Sequence, residues 1–272
     1  MRFTSLLIAT LLLAGCGRQE ASDPAPAAPP VQFQRLSTNP VEHGQRLSSV
    51  LGCAGCHGAD LTGEDWSEPG FGRLWTANLT RAVPAYSDAQ LAAAIRGGVR
   101  HDGTELWEMP SHLFTALTAE DMTALIAFLR SRPPAGEARP LPSFEAGAHR
   151  EIAQGTFKSS RTQVAEEGGR WPPDAGPRHA LGRYIVRATC AECHGMNLAG
   201  GQPHPKATPR PDLRAIVPAY DAAAFERLMR TGKALEDREL RMMSDVARGR
   251  YRHFSAGELE AVRQYLLAVG GG

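Results

Sequence analysis

The pattern Cys-x-x-Cys-His occurs twice in this chain, as Cys53-Ala54-Gly55-Cys56-His57 and Cys190-Ala191-Glu192-Cys193-His194. Two thiols at this spacing can form thioethers to the two vinyl groups of one porphyrin, and the histidine that follows can offer an imidazole nitrogen to the iron. Paired Cys-x-x-Cys motifs can also build a zinc site or serve as thioredoxin-like redox pairs. Zinc needs no histidine directly after both pairs. The redox motif belongs beside a βαβ unit, and no run of β-branched residues flanks either copy. The reading is two covalently bound c-type haems, one on Cys53, Cys56 and His57 and the other on Cys190, Cys193 and His194. Each half of the chain must then close around a large apolar disc.

An internal repeat accompanies the motifs. Val83-Pro84-Ala85-Tyr86 recurs as Val217-Pro218-Ala219-Tyr220, and a three-residue shortening of the second haem loop brings both pairs into one register. Helical stretches follow at Asp88–Gly97 and Asp221–Gly232, then at Thr118–Leu129 and Ser255–Leu266. Ser87-x-x-Gln90 and Ser255-x-x-Glu258 fit capping boxes, and Gly97-Gly98 is a natural C-terminal stop. Met122, Leu125, Ile126 and Leu129 form an i, i+3, i+4, i+7 stripe, echoed by Leu259, Val262 and Leu266. A short helix is expected before each motif, at Val41–Val50 and Leu181–Ala188, with Gly44 and Gly182 allowing close helix approach.

The fold class is therefore all-α, with domains at 41–132 and 179–272 joined by a Pro- and Gly-rich linker at 133–178. The sequence leaves open whether that linker wraps a domain or moves. Each domain, at roughly 90 residues, is small for a self-sufficient core, so loss of haem is expected to unfold it.

The iron's second axial ligand decides between carrier and catalyst. In the first half Met109, followed by Pro110 in a polar loop, is the choice over His101 and His112, and Met122 belongs to the core stripe. In the second half Met243 is chosen because Tyr220 to Met243 repeats the spacing of Tyr86 to Met109. Met242 ranks next, then His253 and His204, with Met229 placed in the core. Tyr86, Trp75, Trp107 and Tyr220 are candidates to line the haem crevices. Arg73, Arg96 and Arg230 are candidates to pair with haem propionates.

Residues 1–16 read as an export signal with a short apolar core, ending in Leu13-Ala14-Gly15-Cys16. This resembles the bacterial lipoprotein box, in which the cysteine (here Cys16) is acylated. An ordinary secretory peptide cut nearby is the alternative. Residues 17–40 read as an Ala-Pro tether. The expected location is exported, periplasm-facing and lipid-anchored, which agrees with haem attachment outside the cytoplasm. A net charge of +1 and the lack of long basic runs give no case for nucleic acid. Arg238, Arg241, Arg248, Arg250 and Arg252 are a candidate docking face for an acidic partner.

With these residues in view, both halves resemble class I c-type cytochrome domains. The first is similar to the cytochrome subunits of membrane-bound bacterial alcohol and sugar dehydrogenases. It carries Cys53-x-x-Cys56-His57-Gly58-Ala59-Asp60-Leu61, Asn78-Leu79-Thr80, Ile95-Arg96-Gly97-Gly98-Val99 and Met109-Pro110. The second carries Cys190-x-x-Cys193-His194-Gly195, Leu198, Gly200-Gly201, Pro211-Asp212-Leu213 and Arg230-x-Gly232. The resemblance implies electron transfer by a dihaem cytochrome c, with a dehydrogenase, cytochrome complex or terminal oxidase as redox partner. The alternative is a dihaem peroxidase or oxidase with an open coordination site in the second half, near Glu236, Asp237 and Glu239. A redox- or gas-sensing module is the third reading.

Overall fold

Side chains that accept from exposed backbone N–H groups mark half of the α-helix starts among the described residues. The computed structural model describes residues 31–202 and 207–271. Asn39 accepts from Val41 N and opens α1 (Pro40–Leu51). Helix α2 (Cys53–His57) is the first haem-motif turn. After a two-residue strand β1 (Gly72–Arg73) come α3 (Leu79–Ala82) and α4 (Asp88–Gly97), the latter opened by the Ser87/Gln90 capping box and ended by Gly98 at φ 68°. A short α5 (Ser111–Phe114) precedes α6 (Ala119–Arg130), where Thr118 accepts from Asp121 N. Side-chain acceptors of this kind contribute about 1 kcal/mol each.

The second half repeats the order. Helix α9 (Ala180–Ala188) and the motif turn α10 (Ala191–His194) are followed by α11 (Leu213–Ile216) and α12 (Ala222–Thr231). Next come α13 (Met242–Gly249) and α14 (Ala256–Gly270), which opens on the Ser255/Glu258 capping box. Both Val-Pro-Ala segments form a single 3-10 turn. Each half crosses its first helix over its last at a glycine. A Cβ on Gly44 would lie 1.8 Å from Ala124 O, and one on Gly182 would lie 2.1 Å from Ala261 O. The sequence-derived stripes face inward: Met122, Leu125, Ile126 and Leu129 are no more than 5 % exposed, and Leu259, Val262 and Leu266 no more than 4 %.

The 133–178 segment wraps the first half. Strand β2 (Ser143–Phe144) pairs antiparallel with β1, and α7 (Ala146–Gln154) and α8 (Ser160–Glu167) follow it. Trp107 stacks on Phe157 at 4.8 Å, and Phe144 meets Trp107 edge-on at 4.6 Å. Asn78 Nδ2 donates to Ala135 O and Glu137 O, and Arg139 lies over the Trp75 ring at 4.4 Å.

The two repeats share one continuous apolar core and form one compact unit. Polar ties reinforce it. Arg46 makes a bidentate pair with the fully buried Glu258, at 2.7 and 3.0 Å. Tyr184 Oη donates to Asp121 Oδ2 at 2.7 Å and accepts from Thr118 N at 3.1 Å. Burial and the Asp121 carboxylate push the Tyr184 hydroxyl pKa up, so it remains a donor at neutral pH.

Candidate haem-binding sites

In each motif turn the cysteines are three residues apart and the histidine is one further on, which places all three on one face of a single helical turn. His57 Nδ1 donates to Ala77 O at 2.8 Å, and His194 Nδ1 donates to Pro211 O at 2.9 Å. A carbonyl only accepts, so the proton sits on Nδ1 and the Nε2 lone pair is left for a metal. Burial lowers both histidine pKa values, while the carbonyl contact pulls the other way. The rings are thus neutral, the form that ligates. The supporting loops match bond for bond. Gly63 N donates to His57 O at 2.8 Å, and Gly200 N to His194 O at 2.9 Å. Leu61 and Leu198, at φ 64° and 61°, hold the equivalent bend.

All four motif cysteines are free thiols. Burial pushes their pKa values up, that of Cys56 to about 11. A redox-active dithiol needs the opposite shift, because the thiolate is its nucleophile. Among the described residues no three of His, Cys, Asp and Glu gather into a metal cluster, so the two pairs do not meet in one zinc site.

A mainly apolar cavity opens onto the first motif. Cys53, Cys56 and His57 line it together with Met109 and Pro110 from the later loop. Leu79, Val83, Leu91, Ile95, Phe114, Leu125 and Leu129 form its walls, with Trp75, Tyr86 and Trp107 also present. A thiol pair, a free imidazole nitrogen, a thioether and apolar walls fit a covalently bound haem. In the second half Met243 is half-buried and packed against the core, as Met109 is in the first, whereas Met242 is 63 % exposed. Met122 and Met229, at 2 % and 7 %, are core residues. His101 is exposed and edge-on to Tyr86 at 4.5 Å. Tyr220 is buried at 6 %.

Arg96 and Arg230 have backbone partners of their own. Arg96 donates to Leu117 O and Thr118 O, and Arg230 donates to Arg252 O and Phe254 O. Both tie the end of one helix to the start of the last, and these carbonyl contacts leave less of the guanidinium for a propionate. Arg250 is not on a docking face: it is half-buried and paired with Glu192 at 2.7 Å. Near the second site Glu239 is paired with Lys233 at 2.8 Å and Arg248 at 2.9 Å, and Asp237 with Arg227 at 3.0 Å. Hydrogen bonds from Lys233 and Arg248 hold the Glu239 carboxyl at about 2, so it is ionised and engaged rather than poised as an acid. Sequence reasoning missed Arg100 and Glu192, both in the first cavity's lining. Their motifs gave no signal, since Glu192 is a variable position of Cys-x-x-Cys-His and Arg100 follows a helix stop. Cys16, the tether to residue 30 and His204 lie outside the described residues.

A family model described as cytochrome c matches residues 41–133 and again residues 179–270. The chain belongs to the cytochrome c family. The fructose dehydrogenase cytochrome subunit of Gluconobacter japonicus is 24 % identical over 99 % of this chain and 60 % of its own length. The cytochrome c subunit of the quinone-type alcohol dehydrogenase of Gluconacetobacter polyoxogenes is 26 % identical over 57 % of this chain and 35 % of its own. A nicotinate dehydrogenase subunit of Pseudomonas putida is 26 % identical over 65 % of this chain and 16 % of its own. The chain thus spans 60 % or less of each of these relatives. Membership makes covalently attached haem c the expected cofactor. Among the described residues no helix is long and apolar enough to cross a membrane.

Proposed function

We propose that this cytochrome carries two haems and relays electrons from a dehydrogenase-type donor to a further acceptor, anchored at the membrane through acylated Cys16. The observation that carries the reading is the duplicated constellation: a Cys-x-x-Cys-His turn, a histidine oriented by a backbone carbonyl, and a half-buried methionine from later in the repeat, Met109 in a loop and Met243 in the first turn of α13. Each haem, when bound, supplies a one-electron Fe(II)/Fe(III) couple. The protein's part is to hold and tune it. Cys53 and Cys56, and Cys190 and Cys193, fix the ring. His57 and His194 would present Nε2 to the iron, and Met109 and Met243 would offer it a thioether sulfur. The apolar walls of the first cavity exclude water, which limits reorganisation. The relatives' names as dehydrogenase cytochrome subunits support the donor class.

The reading is tested on purified holoprotein by haem per chain, by the far-red Met–Fe(III) band and by CO added to the reduced form. Two haems, the band at full strength and no CO response are expected; one CO-reactive haem would move the second site into the catalytic class. Met109→Ala is expected to lower one haem's potential and admit CO, and Met243→Ala to do the same at the other, while Met242→Ala leaves both unchanged. Cys16→Ser should move the protein from the membrane to the soluble fraction in a membrane flotation assay. Continued membrane association would remove the lipid anchor from the proposal.

A further inference from the structure

The two attachment turns are joined by one guanidinium. Arg250 reaches the first half through the end of α1, donating from Nε to Val50 O at 3.2 Å and from Nη2 to Leu51 O at 3.0 Å. These carbonyls stand just ahead of Cys53. Its third contact, from Nη1, is to Glu192 Oε2 at 2.7 Å, inside the second Cys-x-x-Cys-His motif. Glu192 in turn lines the same cavity as Cys53, Cys56 and His57. Tyr251, next in the chain, is buried beside Cys190. Gly52 is the gap that admits the guanidinium, because a Cβ there would lie 2.5 Å from Arg250 Cζ. The Arg250 and Glu192 side chains are 15 % and 30 % exposed, so water screens this pair less than the surface pairs around Glu239.

We infer that Arg250 is a positioning residue for electron relay: it locks the two haem-attachment turns against each other, and the Arg250–Glu192 pair sets the potential at both haem sites. This inference rests on the dihaem reading above. A guanidinium held at the junction favours the reduced, less positive state of a nearby iron, and an unpaired carboxylate there favours the oxidised one. Removing one partner leaves the other partly buried and unbalanced, so the two single substitutions act in opposite directions.

The experiment is a spectroelectrochemical titration of holoprotein, resolving two one-electron midpoint potentials for wild type, Arg250→Gln, Arg250→Lys, Glu192→Gln and the double Arg250→Gln/Glu192→Gln. At fixed applied potential, Arg250→Gln is expected to lower the Fe(II)/Fe(III) ratio of the first site by about threefold or more, and Glu192→Gln to raise it by a similar factor. The double variant should return towards wild type, and Arg250→Lys should stay near it. A general loosening of the fold would not invert sign between the two partners. Single variants that shift the potentials the same way, or leave them unmoved, overturn the inference. Should Arg250→Gln fail to fold, Glu192→Gln and Arg250→Lys still decide it through the sign of the first and the neutrality of the second. Haem per chain, measured on the same samples, separates the two failures. A wild-type count other than two sinks the dihaem reading, whereas two haems with unmoved potentials sink only the role of Arg250.

Discussion

Arg187→Ala is expected to destabilise the folded protein by about 3–5 kcal/mol, because it breaks a buried charge's contacts with several backbone carbonyls. Arg187 is 1 % exposed and belongs to α9 of the second repeat. Its guanidinium donates to Leu113 O, to His112 O at 3.0 Å and to Thr115 Oγ1 at 2.7 Å, all in the first repeat. It also reaches Gly168 O at 2.9 Å and Arg170 O at 3.1 Å in the connecting segment, and it lies 4.9 Å from the centre of the Trp171 ring. Burial lowers its pKa, so desolvation opposes the charge, and the acceptors around it replace part of the lost hydration. Alanine would leave a cavity and several carbonyls without donors, at the place where both repeats and the connecting segment meet. The check is a denaturant titration of holoprotein, in which the midpoint should fall. Arg187→Lys should recover little, since one ammonium cannot span a planar fork of acceptors. A midpoint unchanged in Arg187→Ala would show that the repeats hold together through their shared apolar core alone.

Gly44→Ala should cost about 3 kcal/mol or more, at the upper end of what overpacking a tight core does. The new methyl carbon would sit 1.8 Å from Ala124 O, 2.6 Å from Ala124 C and 2.8 Å from Phe128 Cβ. Two of these are backbone atoms of α6, so no rotamer change relieves the clash and the helices must separate. Helix α1 runs into Gly52 and then Cys53, and its displacement carries the first attachment turn away from the Met109 wall. The expected result is a lower melting temperature together with fewer than two haems per chain by absorbance. Gly182→Ala should behave alike in the second repeat, where the new atom meets Ala261 O at 2.1 Å and Tyr265 Cβ at 2.5 Å. Gly97→Ala is the control, since nothing lies within 4 Å of its Cβ position and alanine is the better helix former. Equal stability of Gly44→Ala and Gly97→Ala would refute the close-crossing argument.

Much of the helical framework was legible because its signals are local. The Ser87/Gln90 and Ser255/Glu258 pairs announce two helix starts, and the Met122–Leu129 stripe has the helical period. The helix over Asp88–Gly97 appears with those ends, and α1 and α9 begin and end within a residue of the spans expected ahead of each motif. The connecting segment was not legible. Its strand is two residues long and α8 buries only Ser160, so neither leaves a period to read. What fixes it is distant: the Asn78 amide, the Arg139 guanidinium and the Trp107 ring, each reaching a group far from it in sequence. The arginine contacts were not legible for a related reason. A guanidinium carries five donors, and the chain alone does not reveal which acceptors lie near. Arg96 and Arg230 contact helix-end carbonyls, and Arg250 lies within the junction rather than on a face for partners.

By itself the sequence determined the two Cys-x-x-Cys-His motifs, the duplication and the main helices of each repeat, because motif spacing, repeat register and helix caps each involve residues close along the chain. Only the tertiary structure decided that His57 and His194 donate from Nδ1 to Ala77 O and Pro211 O, which leaves Nε2 with a free lone pair. It also decided that the two repeats share one core and that Arg250 links the attachment turns. These depend on groups up to 200 residues apart meeting within hydrogen-bond distance. Such meetings follow from how whole helices pack, which no local pattern encodes.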